Sequence, residues 1–248
     1  GDPRGYRDHL DHPYAASPLN RAVTAATATR PAPSRERRSR ARRVRRALAE
    51  TYPHAECQLR FDSPFQLLIA TILSAQCTDA RVNMVTPDLF RHYPSPRTLA
   101  HADLDDVIGL IRSTGFFTNK ARHIVAAARL IDERFNGSVP DDMTDLLSLP
   151  GVARKTANIV LGNSFERNEG VAVDTHVKRL SKRLGLTDSD KPETIEQDLM
   201  ACIPRAEWTV IAHRLGAHGR ACCTARKPDC PACPMTTFCP SSRSGEDA

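Results

Sequence analysis

A chain of 248 residues, 40% hydrophobic and 26% charged, is long enough for a real hydrophobic core, in one large domain or two small ones. No run approaches the ~18 consecutive apolar residues that a membrane-spanning helix needs, which excludes an integral helical membrane protein. The formal net charge of +6 is concentrated: nine arginines stand between Arg30 and Arg46 against one acid, Glu36, so the remainder of the chain is slightly acidic. This reads as a basic arm on an unremarkable body.

In chain order, residues 1–33 are rich in Ala, Pro, Thr and Arg without a sustained apolar period, and are expected to be disordered. A transit peptide is the rival reading, opposed by Asp2, Asp8 and Asp11. From residue 34 the pattern turns helical. Val44 and Leu48 share a face, with the arginines on the wet side. Ser63 and Pro64 read as N-cap and first residue of a helix through Leu73. Thr78 or Asp79 caps the next, Asp103 the one after, and Thr118 a longer helix burying Ile124, Val125, Ala128, Leu130 and Ile131. Further helices are expected at 142–147, 154–163, 175–184, 192–203 and 207–215. Only Gly170–Val173 looks strand-like, too isolated to make a sheet. The fold class is all-α.

Three features carry chemistry. The first is Cys223, Cys230, Cys233 and Cys239, spaced C-x6-C-x2-C-x5-C in a proline-punctuated loop. Four thiolates so close suit a soft metal centre, zinc or [4Fe–4S]. Their crowding near the C-terminus, with no apolar signal segment before the body, argues for a reducing compartment over secreted disulfides. Cys222 is expected to stand aside, and Cys57, Cys77 and Cys202 to pack as small hydrophobes.

The second is Leu149-Pro150-Gly151-Val152-Ala153-Arg154-Lys155, where one short helix ends at a Pro-Gly turn and another begins. Free N–H groups at such a turn can hold phosphate, with Arg154 adding charge, although an ordinary helix connection has the same outline. Lys155 falls in the first turn of the new helix, where the positive end of the macrodipole works against a protonated amine. A neutral amine can attack a sugar C1′ and form a Schiff base. The third is Val173-Asp174-Thr175-His176-Val177, with an acid at a helix start: an N-cap, a catalytic carboxylate, or both. His176 reads as structural. The helix that follows carries Lys178, Arg179, Lys182 and Arg183, a face for phosphate or for solvent.

These features in this order, with Leu73-Ser74-Ala75-Gln76-Cys77-Thr78-Asp79 before them, closely resemble the endonuclease III family, DNA glycosylases with AP-lyase activity in the helix-hairpin-helix superfamily. The likeness runs from about Arg43 to Cys239. It implies two helical lobes with a DNA cleft between them: a six-helix barrel lobe with the helix-hairpin-helix at 57–167, and a second lobe combining a basic helix at 34–56 with 168–240. The last eight residues, 241–248, are expected to form a disordered tail. It also implies a [4Fe–4S] cluster on Cys223, Cys230, Cys233 and Cys239, Lys155 as the Schiff-base nucleophile and Asp174 as the catalytic carboxylate. Gln76 and Phe116 match residues that fill the gap left by a flipped nucleotide, and Gly151, Ala153, Arg154 and Lys178 are further expected DNA contacts. Of Phe116 and Phe117, one is expected to pack in the core. The family's hairpin usually reads Gly-Val-Gly, and Ala153 replaces the second glycine. That replacement is costly if φ must be positive there and harmless otherwise.

The expected partner is damaged double-stranded DNA, with oxidised pyrimidines as the target bases, and the protein is expected to act as a monomer in the cytoplasm, at the nucleoid, with no membrane association. An adenine glycosylase of the same superfamily lacks the lysine, and a non-catalytic or electron-transfer protein needs neither Lys155 nor Asp174.

Overall fold

The computed structural model describes residues 32–242, and every regular element among them is helical. The arm at 1–33 and the tail at 241–248 therefore lie, but for 32–33 and 241–242, outside the described residues. Eleven α-helices follow one another: α1 (Arg35–Thr51), α2 (Pro64–Leu73), α3 (Asp79–His92), α4 (Pro96–Ala100), α5 (Leu104–Ile111), α6 (Phe117–Phe135), α7 (Met143–Leu147), α8 (Arg154–Ser164), α9 (Thr175–Arg183), α10 (Pro192–Cys202) and α11 (Trp208–Ala221). Short 3-10 turns at Arg112–Thr114 and Arg205–Glu207 precede α6 and α11.

The sequence signals account for most helix starts. Ser63 accepts from the Gln66 N–H with Pro64 at the first position, Thr78 accepts from Arg81, and the Asp103 carboxylate accepts from Asp105 and Asp106. The expectation for Thr118 is corrected: α6 begins at Phe117, with Phe116 at the N-cap in a left-handed conformation and no side-chain cap. The short α4, started by a Ser95–Thr98 capping box, escaped the periodicity reading, and α11 runs six residues past the predicted end.

Two hydrophobic cores make two lobes. In the first, α2 is apolar all round and buried along almost its whole length (Phe65, Leu67–Leu73), which is how a central helix must read. Residues of α3, α5, α6 and α8 close around it. Truncating a fully buried side chain such as Leu68 to Ala would cost about 2–5 kcal/mol. The second core joins Val44 and Leu48 of α1 to Val177, Leu180, Ile195, Leu199, Ile211 and Leu215 of α9, α10 and α11. The strand-like segment before α9 forms no strand, and its alternation instead buries Val171 and Val173 in this second core.

Arg35, Arg38, Arg42, Arg43 and Arg46 of α1 are exposed, as a wet face requires, while Arg37, Arg40 and Arg45 are half-buried. Arg37 bonds Asp188 at 2.5 Å, Arg40 donates to Gly185 O, Arg45 pairs with Glu207 (Nε–Oε2 2.8 Å), and the Arg43 guanidinium lies 4.0 Å from the centre of the Phe238 ring. Arg45 holds the Glu207 carboxyl below the usual glutamate range by that hydrogen bond. Part of the arginine run, Arg37, Arg40, Arg43 and Arg45, thus fastens α1 to the second lobe.

Candidate active site

The turn between α7 and α8 is built by one glycine. Gly151 has φ +78°, and a Cβ there would meet His123 Cβ of α6 at 2.9 Å, so both conformation and space demand glycine. Ala153 makes no such demand: φ −102° and ψ 170° are ordinary extended backbone, and its methyl group is exposed. As the N-cap of α8 it offers no side-chain acceptor, so the first N–H groups of that helix stay directed outward.

Lys155 follows, exposed in the first turn of α8. Asp174 is the N-cap of α9, and one of its oxygens accepts from the Val177 N–H at 2.7 Å. The structure brings the two to one small cavity of about 100 Å³, lined also by Cys57, Ser74, Asp79, His213 and Arg220. α8 belongs to the first core and α9 to the second, so the cavity lies where the lobes meet. His213 is the lining residue that motif spacing did not flag. Asn163 donates its amide to Ile159 O at 2.7 Å, which turns its Oδ1 toward His213 Nε2 at 2.8 Å. That makes Nε2 the donor and leaves Nδ1 with a lone pair. Burial first, then Arg220, push the imidazole below its usual pKa. Its signal in the sequence was only its place seven residues before Arg220 on one helix face.

The other expected contacts fall in two groups. Gln76 and Phe116 are both exposed, Phe116 to 64%, and both are left-handed, at φ +52° and +47°. Phe117, beside it, packs against the first core. Arg154 and Lys178 are engaged with protein: Arg154 donates to the buried Glu196 at 2.8 Å, and Lys178 lies 3.7 Å from Asp190, which also bonds Lys182. Glu196 further accepts from Asn158 at 2.7 Å, so an acid of α10 anchors the start of α8. Arg179 and Arg183, read as a phosphate or solvent face, do neither. Arg179 donates to the carbonyls of Gly219 and Cys223, and Arg183 to Cys223 Sγ and to the carbonyls of Thr224 and Ala225.

Those bonds hold the cysteine loop. Cys223, Cys230, Cys233 and Cys239 line one cavity of about 350 Å³, with His218 and Arg183. Cys222, expected to stand aside, faces it too, its sulfur within 4.8 Å of the ligand atoms of Cys233 and His218. His218 Nδ1 and the Tyr52 hydroxyl share a hydrogen bond of 3.1 Å, and His218 Nε2 lies 3.5 Å from Cys233 Sγ. Burial pushes the Cys233 and Cys239 thiols up and the Cys223 and Cys230 sulfurs add to it, while a hydrogen bond with Cys222 eases Cys233 and Cys222 itself reaches about 12. Thiols that raise one another's pKa are a donor set that a soft cationic centre relieves. The residues fit such a centre.

Residues 69–205 match the family described as HhH-GPD superfamily base excision DNA repair protein. Endonuclease III of Synechocystis sp. is 53% identical over 207 residues, covering 84% of this chain and 94% of that protein. A solved non-covalent endonuclease III–DNA complex superposes with a TM-score of 0.80 at 42% identity, over 84% of this chain and 97% of the other. A trapped covalent intermediate of endonuclease III with DNA gives 0.78 at 42% identity, over 82% and 97%. The chain belongs to the endonuclease III family.

Proposed function

We propose that this protein is a bifunctional DNA glycosylase and AP lyase of base excision repair, acting as a monomer on oxidised pyrimidines in duplex DNA. The observation that carries the proposal is that Lys155 and Asp174, on helix starts from different lobes, open on one cavity. A base inside a duplex hides C1′, so its nucleotide must be extruded, at roughly a few kcal/mol. Phe116 as an apolar wedge and Gln76 as an amide plug would replace the lost stacking and pairing. The outward N–H groups around Gly151 and Ala153 would hold backbone phosphate, with Arg154 and Lys178 adding positive charge beside it.

In the chemical step the Lys155 Nζ lone pair bonds to C1′ as the bond from C1′ to the base breaks, and the departing base takes that electron pair and the proton that the nitrogen sheds. The sugar ring opens to a Schiff base. Its positive charge acidifies the C2′ proton, and loss of that proton expels the 3′ phosphate by β-elimination; water then releases Lys155. Asp174 keeps one oxygen on its helix, and the carboxylate stabilises the positive charge that develops on the sugar.

Cys223, Cys230, Cys233 and Cys239 would hold a [4Fe–4S] cluster. Four protein thiolates leave it no open position, so it supplies structure to the loop. A loop of reduced thiols supports a location in the cytoplasm, at the nucleoid; among the described residues no helix is long and apolar enough to cross a membrane. The two lobes correspond to 57–167 and to 34–56 with 168–240.

A duplex carrying one oxidised pyrimidine tests the assignment. Base release together with a cut 3′ to the site is the expected result. Base release with the strand intact would make the protein a monofunctional glycosylase and overturn the lyase half.

A further inference from the structure

The turn that presents Phe116 is held from inside by a single buried lysine. Lys120 of α6 is 4% exposed, and its Nζ donates to Thr114 O at 2.8 Å. Its own N–H donates to Phe116 O at 3.1 Å, the first hydrogen bond of α6. One residue thus binds both flanks of Gly115. The segment it binds is strained. Gly115, at φ +68° and ψ 155°, occupies a region that is essentially glycine's alone, and Phe116, at φ +47°, is where a bulky residue rarely sits. A Cβ on Gly115 would meet nothing within 4 Å, so the glycine is there for its backbone and not for room. Strain of this kind persists only where the surroundings over-determine it.

A buried ammonium is an expensive way to fill a core. Burial pulls the Lys120 pKa down, and the titratable group that opposes this is the thiol of Cys77, next to Gln76 on the other exposed left-handed turn. Apolar packing would be served as well by methionine. What methionine cannot supply is the donor to Thr114 O.

We infer that Lys120 is a positioning residue for strand opening, holding the Thr114–Phe116 turn in its left-handed form so that Phe116 stands rigidly out of the first lobe. The inference rests on the proposed glycosylase function, in which Phe116 enters the duplex.

Lys120→Met keeps the side chain's length and removes the donor. Single-turnover base release is compared on a fully paired duplex and on the same strand with the lesion in an unpaired bubble, where opening is already done. The paired substrate should slow about tenfold, roughly the worth of one hydrogen bond, and the bubble by less than about twofold. Gly115→Ala, which attacks the same turn through its backbone, should give the same pattern. Lys120→Met combined with Phe116→Ala should be no slower than Phe116→Ala alone. Equal slowing on both substrates, multiplying losses in the double variant, or no slowing in Lys120→Met would each overturn the inference. If the wild type releases no base from any duplex, the proposed function falls first. Amide exchange then still decides the clamp: faster exchange at Gly115 and Phe116 in Lys120→Met supports it, and unchanged exchange refutes it.

Discussion

Helices α8 and α9 both begin at the cavity that holds Lys155 and Asp174, yet only one of them is capped. α9 starts at a carboxylate that bonds its own backbone, as most helices here start at Ser, Thr or Asp. α8 starts at Ala153, with no side-chain acceptor, at a turn fixed by Gly151 against α6. A bare helix start leaves donors for an external anion and sets Lys155 beside them in the first turn. A capped start fixes a carboxylate in place. The two residues proposed to react stand at the two ends of this asymmetry, and the second lobe holds the bare end through Glu196, which bonds Arg154 and Asn158.

The largest expected effect comes from emptying the bare end. Lys155→Ala should lower strand cleavage by several orders of magnitude, as loss of a nucleophile does, while changing stability by no more than about 0.5 kcal/mol, because Lys155 is exposed. At the capped end, Asp174→Asn separates the two duties of one residue. Asn caps as well as Asp, so thermal stability should hold, while the lost charge should slow base release by about 10²- to 10⁴-fold. Asp174→Ala should lose the cap as well, at about 1 kcal/mol on denaturant unfolding. If Asn were fully active, Asp174 would be a cap alone.

Making the two ends alike sharpens the comparison further. Ala153→Asp should stabilise α8 by about 1 kcal/mol and weaken duplex binding, because the new carboxylate sits where phosphate is expected. Ala153→Gly should leave affinity within a few tenths of a kcal/mol, since φ is already negative there. Tighter binding by Ala153→Asp in a filter or anisotropy assay would remove phosphate from that turn.

The smallest effect is a pH dependence. His213, on the wall between the two helix starts, has a folded pKa below the histidine norm. The unfolded chain therefore takes up this proton first as pH falls through about 6.5, so stability is full above that value and declines toward the lower folded pKa. His213→Gln should flatten the melting temperature between pH 7 and 5; an unchanged slope would assign the proton elsewhere.

What could be read from the sequence was what is local. Ser63, Thr78 and Asp103 announce their helices; the four cysteines, Gly151, Lys155 and Asp174 stand out as candidates by spacing and by position at a helix start, and the cysteines do line one cavity and Lys155 and Asp174 another. What could not be read was the partner of each charge. Arg43 meets Phe238, Arg45 meets Glu207 and Arg183 meets Cys223, contacts across 40 to nearly 200 residues that no count of arginines contains. Thr118 failed as a cap because Phe116 stands at the N-cap in a left-handed conformation that local preference disfavours.

The account turns on whether Lys155 becomes covalently attached to DNA. Borohydride reduction during reaction with a duplex carrying an abasic site freezes a protein–DNA Schiff base, so wild type and Lys155→Ala should be compared side by side, both verified to bind the duplex. The account predicts a covalent adduct and a nick with wild type and neither with Lys155→Ala. An adduct of equal yield from Lys155→Ala would move the chemistry to another amine, and no adduct from DNA-bound wild type would contradict amine catalysis altogether.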